Sequence, residues 1–390
     1  MNIEGQVTID VHLNGDAPSA QVAFTQPVQI NRLLIGKTQK DALEIIPSVF
    51  SLCAMAHLQA ARNALTAAGA QTTSHAPHAA VSQCLTEMES LRENALRIAM
   101  DWPHFVGKPV ETANLKPLMH LLPDLHKALC NTITTAYAEK TVLQNSQQAI
   151  DIIAKAESLL EKLIFVEPLT VWTKRHDVES VKDWAATSRS PAARLLAHVS
   201  HAGWDDAGAT QFIPLRALTG NDVQELLRNP ASGEQQAPFS QSSQAPETTL
   251  LVRHADDPRL SQPKTDNRGT PGLWHRLTAR LIELSVLPER MRSLITGDTR
   301  PSVGRAAAAG IGLAEVAAAR GLLAHVIRLD QGRIADYRIL PPTRWNFAMN
   351  GVAARALGQI AKVHRKDARI LCELIVNAID PCVGHTVRIH

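Results

Sequence analysis

The apolar content of this chain is carried mainly by alanine and leucine, which from Asp41 onward recur at helical spacing. Aromatic residues are scarce, with 7 Phe, 6 Trp and 2 Tyr in 390 residues, so the core is expected to be one of packed helices. The spacing predicts helices at about 41–68, 80–101, 114–140, 147–164 and 180–201. A further helix restarts at GLWHRLTARLIELSVL, and a last one runs from about Val352 to Ile379, where Asp380-Pro381 can end it. Two places break this pattern. Ile3, Val7, Ile9, Val11 and Leu13 alternate at period two, meet Asn14-Gly15 and resume in AQVAFTQPVQI, which reads as a β-hairpin. GLLAHVIRLDQGRIADYRILPPTRW gives two strand-like runs around Asp330-Gln331-Gly332. The expected fold class is α+β, predominantly α.

Length allows two to three domains or one interwoven core. Residues 229–271 are rich in Pro, Gln and Ser and contain too little apolar surface to order themselves. They are expected to form a flexible insertion between residues 1–228, a hairpin and helical core, and residues 272–390, the C-terminal part of the same domain. An apolar share of 45% with 20% charged residues excludes wholesale disorder and collagen-like repetition. Forty basic against thirty-seven acidic residues, with no basic stripe interleaved with aromatics, argue against nucleic acid as a partner. No run approaches about 18 apolar residues and the start is not a basic segment followed by an apolar one, so neither a membrane span nor a signal peptide is expected. Five cysteines, Cys53, Cys84, Cys130, Cys372 and Cys382, are too few and too scattered for a disulfide framework. They fit reduced thiols in a cytoplasmic protein.

Two short patterns carry chemistry. In CAMAH, Cys53 and His57 stand at i and i+4, which on one helix places a thiol and an imidazole a single turn apart. Taken alone, such a pair in an Ala-rich helix is more often packing than a site. The second is the ending DPCVGHTVRIH, where Cys382 and His385 follow a proline. Combined, Cys53, His57, Cys382 and His385 make a two-Cys, two-His set of the kind that binds zinc.

These motifs resemble the large subunit of nickel-iron hydrogenases, whose active-site cysteines come as RxCGxCxxxH near the start and DPCxxCxxH near the end. SVFSLCAMAH and DPCVGHTVR stand in the corresponding places. IEGQVTIDV, GKTQKDA and RGLLAHVIRLDQGRIADYRILPPTRWN resemble the opening strand, the GRxPxDA element and the PRGxxxH…GRIxxYxxxxPTTWN stretch of that family. The resemblance implies a helical bundle core with small flanking sheets.

The departures define the functional expectation. Phe50 stands where that family has its first N-terminal cysteine, and His385 where it has its last, so two of four metal thiolates remain, Cys53 and Cys382. Ser48, Asn31 and Ala319 replace the family's Arg, Glu and Pro. A nickel-iron pair held by four thiolates cannot be built from this set. Hydrogenase activity, and nickel, are therefore not expected. The pattern is similar to the HupK and HoxV family, degenerate homologues of the large subunit regarded as maturation scaffolds or chaperones. The resemblance implies a non-enzymatic protein that transiently holds the Fe(CN)2(CO) fragment. Its metal ligands would be Cys53, Cys382 and His385, with Arg320 and Thr343 as hydrogen-bonding partners of the cyanides and His57 orienting the Cys53 sulfur. The implied partners are the hydrogenase large-subunit precursor and iron-delivering proteins of the HypC/HypD type. Two alternatives are a protein-only chaperone of the immature large subunit and a degenerate metalloenzyme. Cys84, Cys130 and Cys372 are assigned to packing.

Overall fold

Val7, Ile9 and Val11 turn inward from strand β1 (Gln6–His12), which sits in the middle of a three-stranded sheet. On one side it pairs antiparallel with β2 (Ser19–Thr25), as the hairpin pattern predicts. On the other it pairs in parallel with a strand from the far end of the chain, in register from Gln6↔Gly384 to Val11↔Ile389. The computed structural model describes residues 5–13, 19–25, 30–50, 52–69, 76–130, 146–228, 243–260, 270–360 and 365–390. The Asn14-Gly15 turn lies outside them.

The helices follow in chain order: α1 (Ile30–Leu34), α2 (Gln39–Val49), α3 (Ala54–Ala67), α4 (Ala76–Phe105), α5 (Leu115–Leu129), α6 (Ser146–Leu160), α7 (Leu169–Trp172), α8 (Val178–Thr187), α9 (Pro191–His201), α10 (Gly220–Arg228), α11 (Leu250–Arg253) and α12 (Leu273–Thr296). The long helices α4 and α12 pack on one another at the centre, with α5, α6 and α9 around them. After α12, β3 (Arg305–Ala308), β4 (Ile311–Ala318), β5 (Gly321–Asp330) and β6 (Arg333–Leu340) form a second, antiparallel sheet in sequential order. The turn joining β5 to β6 has Gln331 at φ 47° and Gly332 at φ 75°, the left-handed pair that a two-residue hairpin turn demands. Short α13 (Pro342–Asn346) and α14 (Val352–Gly358), then α15 (Arg365–Ile379) and β7 (Gly384–Ile389), complete the fold. Among the described residues no helix is long and apolar enough to cross a membrane.

Several expected elements are corrected. The helix predicted over 41–68 is two helices, because Phe50 adopts an extended conformation and Cys53 caps α3 instead of lying inside it. The helix predicted over 180–201 is also two. Ser190 stays extended ahead of Pro191, and its hydroxyl accepts from the Ala193 amide at 3.0 Å to start α9. Of the helix predicted over 114–140, α5 ends at Leu129, and residues 131–145 lie outside the described residues. The final helix is interrupted after Gly358, and the tail beyond Asp380 is a strand.

The expected flexible insertion, 229–271, is corrected in part. Residues 229–242 and 261–269 lie outside the described residues, but 245–251, Arg259 and Leu260 are buried. Leu250 and Leu251 are buried, and the fully buried Glu247 pairs with Arg276 of α12 at 3.1 Å. The Leu322 amide donates to the Thr248 carbonyl at 3.1 Å. Composition understated this stretch because its order comes from partners distant in sequence, which local apolar content does not report.

Candidate functional site

The parallel pairing of β1 with β7 carries the last residues of the chain back onto the helical body, and the break between α2 and α3 faces that return. Cys53 stands at the N-terminus of α3, where the first backbone N–H groups have no partners within the helix. Glu89 of α4 supplies them, its two carboxylate oxygens accepting from the amides of Met55 at 3.0 Å and Ala56 at 3.1 Å. Burial pushes the Glu89 carboxyl up to about 7, against those same amides, which favour the ionised form. Removing it by Glu89→Ala is expected to cost about 2–3 kcal/mol, the loss of a buried cap and its two charge-assisted hydrogen bonds. The pH dependence has a definite sign. A carboxyl bound more tightly to its proton in the folded state than at its ordinary 4.5 stabilises fully below that value, and the contribution fades as pH rises through about 7. Urea unfolding of Glu89→Gln should therefore show a flatter stability profile between those limits than the parent.

Cys382 is placed by the end of α15. Asp380 leaves the helix at φ 62°, left-handed for a non-glycine residue, and Pro381 follows. The Cys382 amide then donates to the Thr343 hydroxyl of α13 at 2.9 Å. Cys53 and Cys382 line the same cavity, and each thiol shifts the titration of the other. The neighbouring Cys382 sulfur and burial push the Cys53 thiol well up, whereas Cys53 and the Arg320 guanidinium bring Cys382 down against its burial. Cys382 is the sulfur favoured as thiolate. Arg320, at the β4–β5 turn, places Nη1 3.9 Å from the Cys53 sulfur, Nη2 3.4 Å from Glu93 and Nε 3.1 Å from Asp380. Asp380 also meets Arg97 at 2.8 Å and Arg280 at 3.3 Å.

A cavity of about 50 Å³ lies at this junction, with Cys53, Cys382, His57, Thr343, Phe50 and Asn31 in its wall. The structure thus brings Cys53, Cys382, Arg320 and Thr343 together. His57 lines the same cavity, but its Nδ1 is 3.0 Å from His325 Nε2, so that nitrogen does not orient the Cys53 sulfur. Phe50 stacks on the His57 ring at 3.5 Å with 6° between the planes. The proposed third ligand, His385, is exposed at the start of β7 and does not line the cavity. Among the described residues no group of three or more His, Cys, Asp or Glu side chains could hold a metal ion. Cys84 and Cys372 sit buried within α4 and α15, and Cys130 is buried at the end of α5.

Sequence reasoning missed Glu89 and, beside Asp380, Arg97 and Arg280, whereas His325 and Tyr337 were legible only as the H and Y of the PRGxxxH…GRIxxYxxxxPTTWN resemblance, with no role attached. Asp380 was legible as part of DPC, although its role as counter-ion was not. Nothing local marked Glu89, because a carboxylate in a helical run reads as solvated surface.

No protein-family model matches the chain. Among curated proteins it is 28% identical to the hydrogenase expression/formation protein HoxV of Cupriavidus necator, over 94% of this chain and 92% of that one. Identity to the hydrogenase expression/formation protein HupK of Azotobacter vinelandii is 28%, covering 99% and 98%. The chain is a homologue of the HupK and HoxV proteins. A third relative, HupV of Azotobacter chroococcum, is 29% identical over 99% of this chain and 98% of its own. Solved structures agree on the fold. The NiFeSe hydrogenase of D. vulgaris Hildenborough, as isolated and oxidised, superposes with a TM-score of 0.63 at 12% identity, covering 95% of each chain. An NAD+-reducing NiFe hydrogenase gives 0.59 at 15% identity, covering 94% of this chain and 92% of that one. The HupK and HoxV homologue therefore has the hydrogenase large-subunit fold, with a mostly helical body and small sheets.

Proposed function

We propose that the protein is a maturation factor for nickel-iron hydrogenase and holds an iron fragment bearing cyanide and carbonyl ligands on its way to the large-subunit precursor. The observation that carries this reading is the meeting of Cys53 and Cys382, from opposite ends of the chain, in the wall of one cavity beside Arg320. Two thiols in the wall of one cavity are suited to binding a thiophilic iron as thiolates. The guanidinium of Arg320 and the hydroxyl of Thr343 stand at the same place, and charge-assisted donation to an anionic cyanide nitrogen is favourable there. With Phe50 and His385 in place of the other two thiolates, the donor set is wrong for a nickel-iron pair and suits iron alone. On this reading the protein is not an enzyme, and its partners are an iron-delivering complex of the HypC/HypD type and the precursor itself.

The experiment is infrared spectroscopy of protein purified anaerobically from a host with its maturation machinery, since cyanide and carbonyl stretches fall where protein does not absorb. Bands are expected in the parent protein and absent in Cys53→Ser and Cys382→Ser, each of which should unfold within about 1–2 kcal/mol of the parent because a hydroxyl for a thiol changes little volume. Bands that persist with both cysteines replaced would refute the thiolate site. The exposure of His385 favours one second reading, a chaperone that binds the precursor without metal. That reading requires precursor binding and hydrogenase maturation to survive the double cysteine replacement.

A further inference from the structure

Behind the cavity, three polar rings lie in a row. His57 Nδ1 is 3.0 Å from His325 Nε2, and His325 Nδ1 is 2.8 Å from the Tyr337 hydroxyl. His325 and Tyr337 are fully buried, so neither exchanges its partner for bulk water. Among the described residues the Tyr337 hydroxyl has His325 Nδ1 as its hydrogen-bond partner. A phenol carries one proton, and a buried O–H without an acceptor is costly, so Tyr337 donates and His325 Nδ1 accepts. A neutral imidazole has one N–H, which for His325 then lies on Nε2 and points at His57 Nδ1. The same count applied once more leaves the His57 proton on Nε2. Both imidazoles stay neutral, since burial lowers their proton affinity, to about 3 for His325.

His57 lines the cavity, and its Nε2 has no protein partner among the described residues. Phe50, which stands in place of a cysteine, lies flat against the ring and holds its plane. We propose that Tyr337 is a positioning residue which, through His325, fixes His57 Nε2–H as a hydrogen-bond donor toward an anionic atom held in the cavity. His57 is then not a metal ligand, because the nitrogen facing the cavity carries a proton instead of a lone pair. The row of rings adds to Arg320 and Thr343 a neutral donor whose direction is set from within the core. Only the identity of the acceptor, a cyanide nitrogen or a thiolate, rests on the iron-fragment reading.

The test is read on metal-free protein labelled with nitrogen-15 at histidine, by long-range proton–nitrogen correlation. Signals of His57 and His325 are assigned from those lost in His57→Asn and His325→Gln. The parent should show a single Nε2–H tautomer at both residues. Tyr337→Phe removes the donor that orders the row and should convert both to mixtures, with the Nδ1–H form of His57 appearing. An Nδ1–H tautomer at His57 in the parent, or tautomers unchanged in Tyr337→Phe, would overturn the proposal. If Tyr337→Phe does not fold, the parent spectrum alone still decides the orientation. Because metal-free protein is used, this outcome is independent of whether iron binds.

Discussion

Asp380→Asn is expected to lower the stability of the protein by about 3–5 kcal/mol, the cost of removing one partner from a buried charge cluster. Asparagine is the informative replacement because, like aspartate, it tolerates the left-handed backbone found here at φ 62°. Backbone strain is thereby held constant and charge alone is lost. The parent carboxylate faces Arg97 at 2.8 Å, Arg320 at 3.1 Å and Arg280 at 3.3 Å, and both Arg280 and Arg320 are buried. Burial alone would raise the carboxyl's pKa, and the three guanidiniums reverse that and hold it far below the usual carboxylate range. Arg97 keeps Asp101 and Arg320 keeps Glu93, but Arg280, already lowered to about 10 by burial, would be left with the Asn377 carbonyl. The pH profile should change as well. A carboxyl held below its ordinary 3.8 contributes stability above that value and loses it as pH falls further, so parent and variant should converge in acid. Urea unfolding at neutral pH and below pH 4 checks both claims; equal stability of the two proteins at neutral pH would show that the arginines do not need Asp380.

What could be read from the residues was whatever depended on local pattern or on a motif. The period-two run through Val7, Ile9 and Val11 gave β1, and the Asp330-Gln331-Gly332 turn gave the β5–β6 hairpin. The two cysteine motifs pointed to Cys53 and Cys382, which the fold places in the wall of one cavity. What escaped was set by contacts between distant residues. Cys53 caps a helix instead of riding on one because Glu89, on a different helix, satisfies the freed amides. The tail is a strand because β1 offers it an unpaired edge, and GHTVRI has no alternation strong enough to announce that by itself. His385 was grouped with the ligands on spacing, yet entering β7 places it outside the cavity.

The second large effect is expected at a residue that no motif marks. Gly312 of β4 lies against the backbone of α3, where an added Cβ would fall 1.9 Å from the Ala64 carbonyl oxygen and 2.6 Å from the Ala68 amide nitrogen. Gly304 meets the same helix, its would-be Cβ 2.2 Å from the Asn63 carbonyl oxygen. Together with the buried alanines Ala56, Ala60, Ala61 and Ala64, these glycines let a strand and a helix approach more closely than side chains would permit. Both sides of the contact are backbone, so no rotamer change can relieve a clash. Gly312→Ala should therefore force α3 away from the sheet at a cost of about 3–5 kcal/mol, above the usual range for overpacking. The displacement would reach the site directly, because α3 carries Cys53 at its first residue boundary and His57 one turn later. Gly332→Ala provides the control. Its φ of 75° disfavours alanine by about 1–2 kcal/mol, but nothing lies within 4 Å of the added methyl and the turn does not line the cavity of the cysteines. Urea unfolding should rank the two variants in that order, and only Gly312→Ala should abolish the His57–His325 hydrogen-bonded pair in the nitrogen-15 spectrum. A Gly312→Ala protein as stable as the Gly332→Ala control, with that pair intact, would mean that the helix is not held by the strand backbone.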